Sequence, residues 1–240
     1  LWYRPKAGNL TINNSSISGR ANIKKKTAYL GIDVGASSIN IVVLDEDKNL
    51  LTKRYLLKEG DLIEPVRRAL WDVGQDIGSF VEINGVGVTG SGRRFIGDFV
   101  GADMIINEIT TQAKATLELD STVDTIIEIG GQDSQYICLK HGAIEDFEMN
   151  KVCAAGTGSF LQEQAARLNV NIEDEFSKYA FQSKSPADLG TRCTVFMESD
   201  LVHHQQIGTT KENLLAGLAY SVANNYIETV SYTHLTLPTN

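Results

Sequence analysis

One structural design occurs twice in this chain, in residues 29–46 (YLGIDVGASSINIVVLDE) and in residues 125–139 (TIIEIGGQDSQYICL). Each copy is a β-branched apolar run that ends in an acidic or polar glycine turn and restarts at once as a strand. A Walker loop or a Rossmann fingerprint needs a helix after its glycines, whereas residues 39–43 and 135–139 alternate like strands. A strand–glycine turn–strand unit that is used twice is a way to hold the phosphates of a nucleotide from two sides.

Length and composition allow one large domain or two modest lobes. The chain has 240 residues, of which 42% are hydrophobic and 22% charged, as in ordinary globular proteins. The net charge of -8 argues against a nucleic-acid partner, and no apolar run reaches the roughly 20 residues of a membrane span. Three cysteines, an odd number, favour reduced thiols over a disulfide scaffold. We therefore expect a cytoplasmic protein without nucleic-acid or membrane partners.

The two ends of the chain differ in composition from its middle. Residues 1–27 are interpreted as a linker or the remnant of a preceding domain, and residues 231–240 as a non-native tail. Between them we predict a first lobe at 28–120 and an incomplete second lobe at 121–230. The sequence is therefore interpreted as a fragment of a longer protein.

Strands lead each half of the chain and helices follow, the order of two related α/β lobes. The apolar periodicity predicts strands at 28–34, 39–45, 50–57, 83–89, 123–129, 136–139 and 144–149. It predicts helices at 62–80, 103–117, 157–168, 186–202 with breaks, and 211–227.

The first glycine turn follows Asp33, at the end of a strand that should be central. Gly35 lets the backbone approach a phosphate closely, Ala36 continues the turn, and Ser37 and Ser38 add hydroxyl donors. A carboxylate beside a triphosphate requires a divalent cation between them, so we expect Asp33 to hold Mg²⁺, through water. Taken alone, this turn favours the other interpretation, a tight hairpin whose aspartate satisfies its own backbone, because such hairpins are common.

The second turn consists of Gly130, Gly131, Gln132, Asp133 and Ser134. Two glycine–acid turns on similar strand pairs favour the phosphate interpretation for both. The glutamine is a candidate for orienting an attacking water, as glutamines do in some nucleotide hydrolases. A third glycine loop, at residues 90–94 (GSGRR), fits either a further loop near the nucleotide or a solvated turn.

The three cysteines have different surroundings in the sequence. Cys153 and Cys193 each precede a helical stretch, whose N-terminal amides favour a thiolate, whereas Cys138 alternates within a strand and is assigned to the core. Residue types alone favour buried or incidental thiols over ligands at the first two positions. The pair His203–His204 is assigned to a helix surface.

Four motifs in this order and spacing resemble the ATP-dependent activators of 2-hydroxyacyl-CoA dehydratases and the related ATPase subunits of benzoyl-CoA reductase. The motifs are YLGIDVGASS (29–38), IEIGGQDS (127–134), CAAGTGSF (153–160) and CTVFMESD (193–200). The resemblance implies an α/β, actin-like and sugar-kinase-like ATPase fold of two related, ribonuclease H-like lobes, with the second lobe truncated here. From the two turns themselves we assign catalytic roles to Asp33, Gln132 and Asp133.

The same resemblance implies the cofactors and partners. ATP and Mg²⁺ would bind at the two turns, and Cys153 and Cys193 would each supply one ligand to a 4Fe–4S cluster. Because such a cluster takes four thiolates, the resemblance implies a homodimer that shares it. ATP hydrolysis would then drive one electron at low potential into a 2-hydroxyacyl-CoA dehydratase or benzoyl-CoA reductase-like partner, with ferredoxin or flavodoxin as electron donor.

The chain departs from the compact members of that family in two places. They carry Asn-Asp-Lys directly before the first cysteine, whereas this chain has Asn150-Lys151-Val152, which is more similar to long fused activases. The glycine motif that would hold adenine is absent before residue 230. Two alternatives stay open: a small-molecule kinase of the same superfamily and a non-catalytic, actin-like scaffold.

Overall fold

The computed structural model describes residues 25–58, 60–150, 157–191 and 194–228. The chain divides into two compact units, with the division between Thr111 and Gln112. The lobe boundaries at residues 27, 120 and 230 stay predictions. Within the described ranges, no helix is long and apolar enough to cross a bilayer.

The first unit is a five-stranded sheet with helices. Its elements are β1 (Lys26–Val34), β2 (Ser38–Asp45), β3 (Leu50–Leu57), α1 (Ile63–Ile77), β4 (Val81–Thr89), α2 (Arg93–Val100), β5 (Met104–Ile105) and the start of α3 (Glu108–Leu119). The strand order is β3-β2-β1-β4-β5. Short turns make β1, β2 and β3 antiparallel to their neighbours, so that β3 runs in the same direction as β1. Helix α1 then carries the chain from the end of β3 to the start of β4, which makes β4 parallel to β1.

Alternation along the strands builds the core of this unit. In β2 every second residue is buried, so that Ile39, Ile41 and Val43 face the core and the residues between them are half-buried. Helix α1 covers this face with one apolar stripe, which consists of Val66, Ala69, Val73 and Ile77. This packed core therefore holds the central strand β1 in place up to its last residues, Asp33 and Val34.

A buried carboxylate closes the turn between β2 and β3. The Asp45 side chain, with 2% of its surface exposed, accepts hydrogen bonds from the backbone of Asp47 (2.9 Å) and Asn49 (2.8 Å). Lys26 Nζ lies 2.7 Å from Asp45 Oδ2. The hydrogen bond from Lys26, followed by those from Asn49, lowers the pKa of Asp45 to about 2.

The second unit has a three-stranded antiparallel sheet, β6-β7-β8, followed by helices. Its elements are β6 (Thr125–Ile129), β7 (Ser134–Lys140), β8 (Ala143–Met149), α4 (Gly158–Arg167), α5 (Phe176–Ala180), α6 (Thr194–Gln206) and α7 (Lys211–Tyr226). Helix α7 is apolar on most sides, and Leu214, Leu215 and Leu218 are buried against residues of α4 and α6. A helix that is buried on most sides is a central element of its unit.

The predicted helix at 186–202 is wrong in its first part. Residues 186–191 are not helical, and α6 begins only at Thr194. The physical reason is a competing set of bonds: the Asn213 side chain accepts from Ser183 and Ser185, and its carbonyl accepts from the Ala187 amide (2.9 Å). The predicted helix at 103–117 begins at Glu108, and the sequence pattern missed the short helix α2.

Candidate functional site

The first glycine turn is a tight connection between β1 and β2. The Gly35 amide donates to the Ser38 carbonyl over 2.9 Å, and a Cβ on Gly35 would lie 3.2 Å from that same oxygen. Asp33 is paired in the sheet with Asn40 of β2 and with Thr89 of β4. The Asp33 carboxylate therefore lies at the end of a central strand, as the sequence predicts.

The third glycine loop packs directly against the first turn. The Gly92 amide donates to the Val34 carbonyl (3.0 Å), and a Cβ on Gly90 would come within 2.5 Å of Asp33 Oδ1. Gly90 also has φ +88, a conformation that favours glycine. The loop at residues 90–94 is therefore packed against the Asp33 turn, although Ser91 and Arg94 are exposed. Its position near a nucleotide stays a prediction.

Two charged residues lie near the Asp33 turn: Glu108, which sequence reasoning missed, and Arg93 of the third glycine loop. Burial is the main cause that raises the pKa of Asp33; a hydrogen bond from Asn40 lowers it, and the negative charge of Glu108 raises it. Arg93 Nη1 lies 2.9 Å from Glu108 Oε2 and donates to the Gly90 carbonyl over 2.8 Å. A half-buried carboxylate whose charged form is disfavoured is typical of a functional site and suits a cation ligand.

The second glycine turn repeats the hydrogen bond of the first. The Gly130 amide donates to the Asp133 carbonyl over 2.9 Å, so that in both turns a glycine N–H bonds to the carbonyl three residues later. A Cβ on Gly130 would lie 2.7 Å from the Asp133 carbonyl and 2.8 Å from Glu128 Oε1. Glycine is therefore required by the geometry of this turn.

The shared hydrogen bond aligns the two turns residue by residue. With Gly35 matched to Gly130, Asp33 corresponds to Glu128 and not to Asp133. The Glu128 side chain is half-buried, whereas Asp133 is exposed. Sequence reasoning missed Glu128, although an alignment of the two repeats on their glycines would have found it.

Both described flanks of the first cysteine segment, residues 151–156, are bonded to the second turn. Before the segment, Asn150 Oδ1 accepts from the Ser134 amide (2.8 Å), and the Asn150 amide donates to the Ser134 carbonyl (3.0 Å). After the segment, the amides of Gly158 and Ser159 donate to the turn carbonyls of Gly130 and Gly131, both over 2.8 Å. The turn, the strand end and the first residues of α4 therefore form one hydrogen-bonded cluster.

The predicted ligands Cys153 and Cys193 lie outside the described residues. Cys138 is half-buried in β7, and burial is the main cause that raises the pKa of its thiol. In the part of the chain that the structure describes, no group of three or more His, Cys, Asp and Glu side chains is arranged to hold a metal ion.

The histidine pair of α6 is only in part a helix surface. His203 is exposed, but His204 is half-buried, with Nε2 3.2 Å from the Asp188 carbonyl and Nδ1 3.3 Å from Thr209 Oγ1. A carbonyl only accepts, so Nε2 carries the proton. His204 thus connects α6 to the loop that leads toward Cys193 in the sequence.

Comparison with known proteins decides the family. A profile of the BadF/BadG/BcrA/BcrD ATPase family matches residues 30–236. The chain belongs to this family. It is therefore an ATPase, and the family assignment made from the four motifs is confirmed.

Similar curated proteins include two named activators. The activator of lactoyl-CoA dehydratase from Anaerotignum propionicum is 36% identical over 197 residues, which cover 81% of this chain and 74% of the relative. The (R)-2-hydroxyglutaryl-CoA dehydratase activating ATPase from Acidaminococcus fermentans is 32% identical and is covered to 75%.

Solved structures of the family share the fold. Component A of the Acidaminococcus fermentans (R)-2-hydroxyglutaryl-CoA dehydratase matches with a TM-score of 0.78 and 28% identity, over 88% of this chain and 80% of its own. The activator of the 2-hydroxyisocaproyl-CoA dehydratase from Clostridium difficile was solved with bound ADPNP. It matches with the same TM-score of 0.78 and the same identity of 28%, over 88% of this chain and 78% of its own. The predicted actin-like, sugar-kinase-like ATPase fold is confirmed.

Proposed function

We propose that this ATPase is an activator that couples ATP hydrolysis to the transfer of one low-potential electron from a 4Fe–4S cluster. The acceptor would be a 2-hydroxyacyl-CoA dehydratase or a benzoyl-CoA reductase-like partner. One observation carries the proposal: the residues on both sides of segment 151–156 are hydrogen-bonded to the second glycine turn. Nucleotide contacts at this turn would therefore act directly on the backbone around Cys153. Relatives named as dehydratase activators support the choice of partner.

The residues at the first turn fit the phosphates of ATP with Mg²⁺. Gly35 would let the backbone approach the phosphates, the Ala36 amide and the hydroxyls of Ser37 and Ser38 would donate to phosphate oxygens, and Asp33 would hold the cation through water. Burial raises the pKa of Asp33, and a bound cation would offset the cost of its charged form. Arg93 neutralises Glu108 and so limits the negative charge beside the phosphates.

The residues at the second turn fit phosphate binding and hydrolysis. Gly130 and Gly131 would contact the phosphates, and Gln132 would orient the attacking water. Ser134, predicted as a phosphate contact, is fully buried and bonds through its backbone to Asn150, so it would support the turn from behind. The exposed carboxylate of Asp133 and the half-buried carboxylate of Glu128 both lie at this turn, and both are candidates for polarising that water.

Thiolates are the ligands that iron–sulfur clusters require, and Cys153 and Cys193 supply two per chain. We therefore propose a homodimer in which two chains provide four thiolates to one cluster. The cluster would supply a one-electron carrier of low potential, reduced by a donor such as ferredoxin or flavodoxin. Because cluster ligands must be reduced thiols, we also propose a cytoplasmic location.

For the domain organisation we propose two ATPase lobes, at residues 28–120 and 121–230.

Anaerobic reconstitution of the chain with iron and sulfide tests the proposal. We expect about four irons per two chains, visible charge-transfer absorbance and a dimer in sedimentation. Cys153→Ser or Cys193→Ser should abolish the iron and weaken the dimer. Cys138→Ser, the matched control, should retain both, because its thiol belongs to β7. A full complement of iron in Cys153→Ser would contradict the ligand assignment.

A further inference from the structure

Helix α7 carries polar side chains inside an apolar core. Ser221, Asn225 and Tyr226 expose only 2%, 5% and 4% of their surface, and the same helix also buries three leucines and a valine. Burying a polar group is costly unless it is hydrogen-bonded, so the loss of any hydrogen bond that these residues make should lower the stability of the fold. The proposed activity does not itself use any of them.

The Ser221 hydroxyl contacts the backbone and a side chain on both sides of Cys193 in the sequence. It donates to the Gly190 carbonyl over 2.7 Å, and it contacts Sδ of Met197 on α6. Asn225, one turn later, donates to the Ser221 carbonyl (3.0 Å) and lies 3.4 Å from the Ser221 hydroxyl. Ser221 therefore holds Gly190, three residues before Cys193 in the sequence, to Met197, four residues after it.

The last residue of the same helix bonds to the strand that follows the second glycine turn. Tyr226 Oη donates to the Gln135 carbonyl over 2.8 Å, and Gln135 directly follows Ser134 of the turn. Burial raises the pKa of Tyr226 to about 12, and the negative charge of Glu128 contributes. The Tyr226 hydroxyl therefore stays protonated at neutral pH and remains a hydrogen-bond donor. It also lies near Glu128, the carboxylate that corresponds to Asp33 of the first turn.

Ser221 and Tyr226 are five positions apart on α7, about 7.5 Å along the helix axis. We propose that Tyr226 and Ser221 are positioning residues, which connect the second glycine turn to the Cys193 segment through α7. A shift of β7 when the turn binds phosphate would be passed by α7 to the residues on both sides of Cys193. This inference rests on the proposed function, because it requires that the turn binds nucleotide.

Differential alkylation of the cluster-free chain tests the connection. Iodoacetamide labels the thiols, mass spectrometry gives a separate rate for each cysteine, and Mg²⁺–ADPNP is added at saturation as measured by calorimetry. In the parent chain we expect the nucleotide to change the Cys193 rate by about fivefold or more, the range of ordinary coupling between sites. N-acetylcysteine, alkylated in the same sample, serves as the reference thiol, because Cys138 lies on β7 and packs against Tyr226.

Tyr226→Phe removes only the hydroxyl, and Tyr220→Phe is the matched control, because Tyr220 is on the same helix with 62% of its surface exposed. We expect Tyr226→Phe to reduce the nucleotide effect at Cys193 to below about twofold while ADPNP affinity stays within about threefold. Tyr220→Phe should behave as the parent. Ser221→Ala should raise the Cys193 rate without nucleotide and leave the Cys138 rate unchanged.

The outcomes separate the inference from the function on which it rests. A full nucleotide effect at Cys193 in Tyr226→Phe, with normal ADPNP binding, would overturn the connection and leave the proposed function intact. Absence of ADPNP binding in the parent chain would overturn both. If Tyr226→Phe does not fold by circular dichroism, Ser221→Ala decides, and an unchanged Cys193 rate in that variant overturns the connection.

Discussion

Replacement of Gly90 by alanine should disturb Asp33 by a predictable amount. The glycine has φ +88, and a left-handed conformation costs an L-residue about 1–2 kcal/mol. The new Cβ would lie 2.4 Å from the Val34 carbonyl and 2.5 Å from Asp33 Oδ1, so backbone or carboxylate must move. Overpacking of this kind costs about 1–3 kcal/mol. We therefore expect Gly90→Ala to lower the free energy of unfolding by about 2–5 kcal/mol.

Gly101→Ala separates the backbone contribution from the steric one. Gly101 has φ +64, lies in the same unit, and a Cβ added to it would meet no other atom within 4 Å. This substitution should therefore cost only about 1–2 kcal/mol. Urea denaturation followed by the fluorescence of Trp71 on α1 measures both variants within the first unit. ATP hydrolysis should fall in Gly90→Ala and persist in Gly101→Ala. Equal losses of stability in the two variants would refute the packing of this loop on Asp33.

Three further predictions concern charged groups. Asp33→Asn should lower Mg²⁺-dependent ATP hydrolysis by ~10²-fold without lowering stability, because burial already disfavours the charged carboxylate; a normal rate would reduce the first turn to a hairpin. Steady-state assays of Glu128→Gln and Asp133→Asn should each show a loss of similar size if both carboxylates act, and whichever variant keeps the parent rate has no catalytic role. The pKa of Asp45 is lowered from 3.8 to about 2, so its contribution to stability is present above pH 3.8 and is lost as the pH falls toward 2. Acid-induced unfolding of Asp45→Asn should lack that loss of stability. A variant that unfolds with the same pH dependence as the parent would show that the bond from Lys26 to Asp45 does not stabilise the fold.

Much of the fold could be predicted from the sequence because its signals are local. The strands of both repeats follow from alternation and from glycine turns, and β3 lies at Leu50–Leu57 as predicted. Helix α2 was missed because it has only eight residues and contains Gly97, which is a poor helix former. The helix predicted at residues 186–191 was wrong because this segment bonds instead to Asn213. No local pattern in the sequence reveals that distant partner.

The site was predicted in its turns but not in its surroundings. Asp33 and the glycines are adjacent in sequence, whereas Gly90 and Glu108 reach Asp33 only through the parallel pairing of β1 and β4 and the helices that follow. The bond from Tyr226 to Gln135 joins residues 91 positions apart, so periodicity has no access to it. Glu128 was within reach of sequence reasoning, through the alignment of the two repeats.

The most direct test of the account measures electron delivery to a purified 2-hydroxyacyl-CoA dehydratase. The reconstituted protein is reduced anaerobically, and dehydratase turnover is followed with Mg²⁺–ATP, with Mg²⁺–ADPNP and without nucleotide. The account predicts turnover only with Mg²⁺–ATP, and none in Asp33→Asn or Cys193→Ser. Equal activation of the dehydratase in the absence of nucleotide would contradict it.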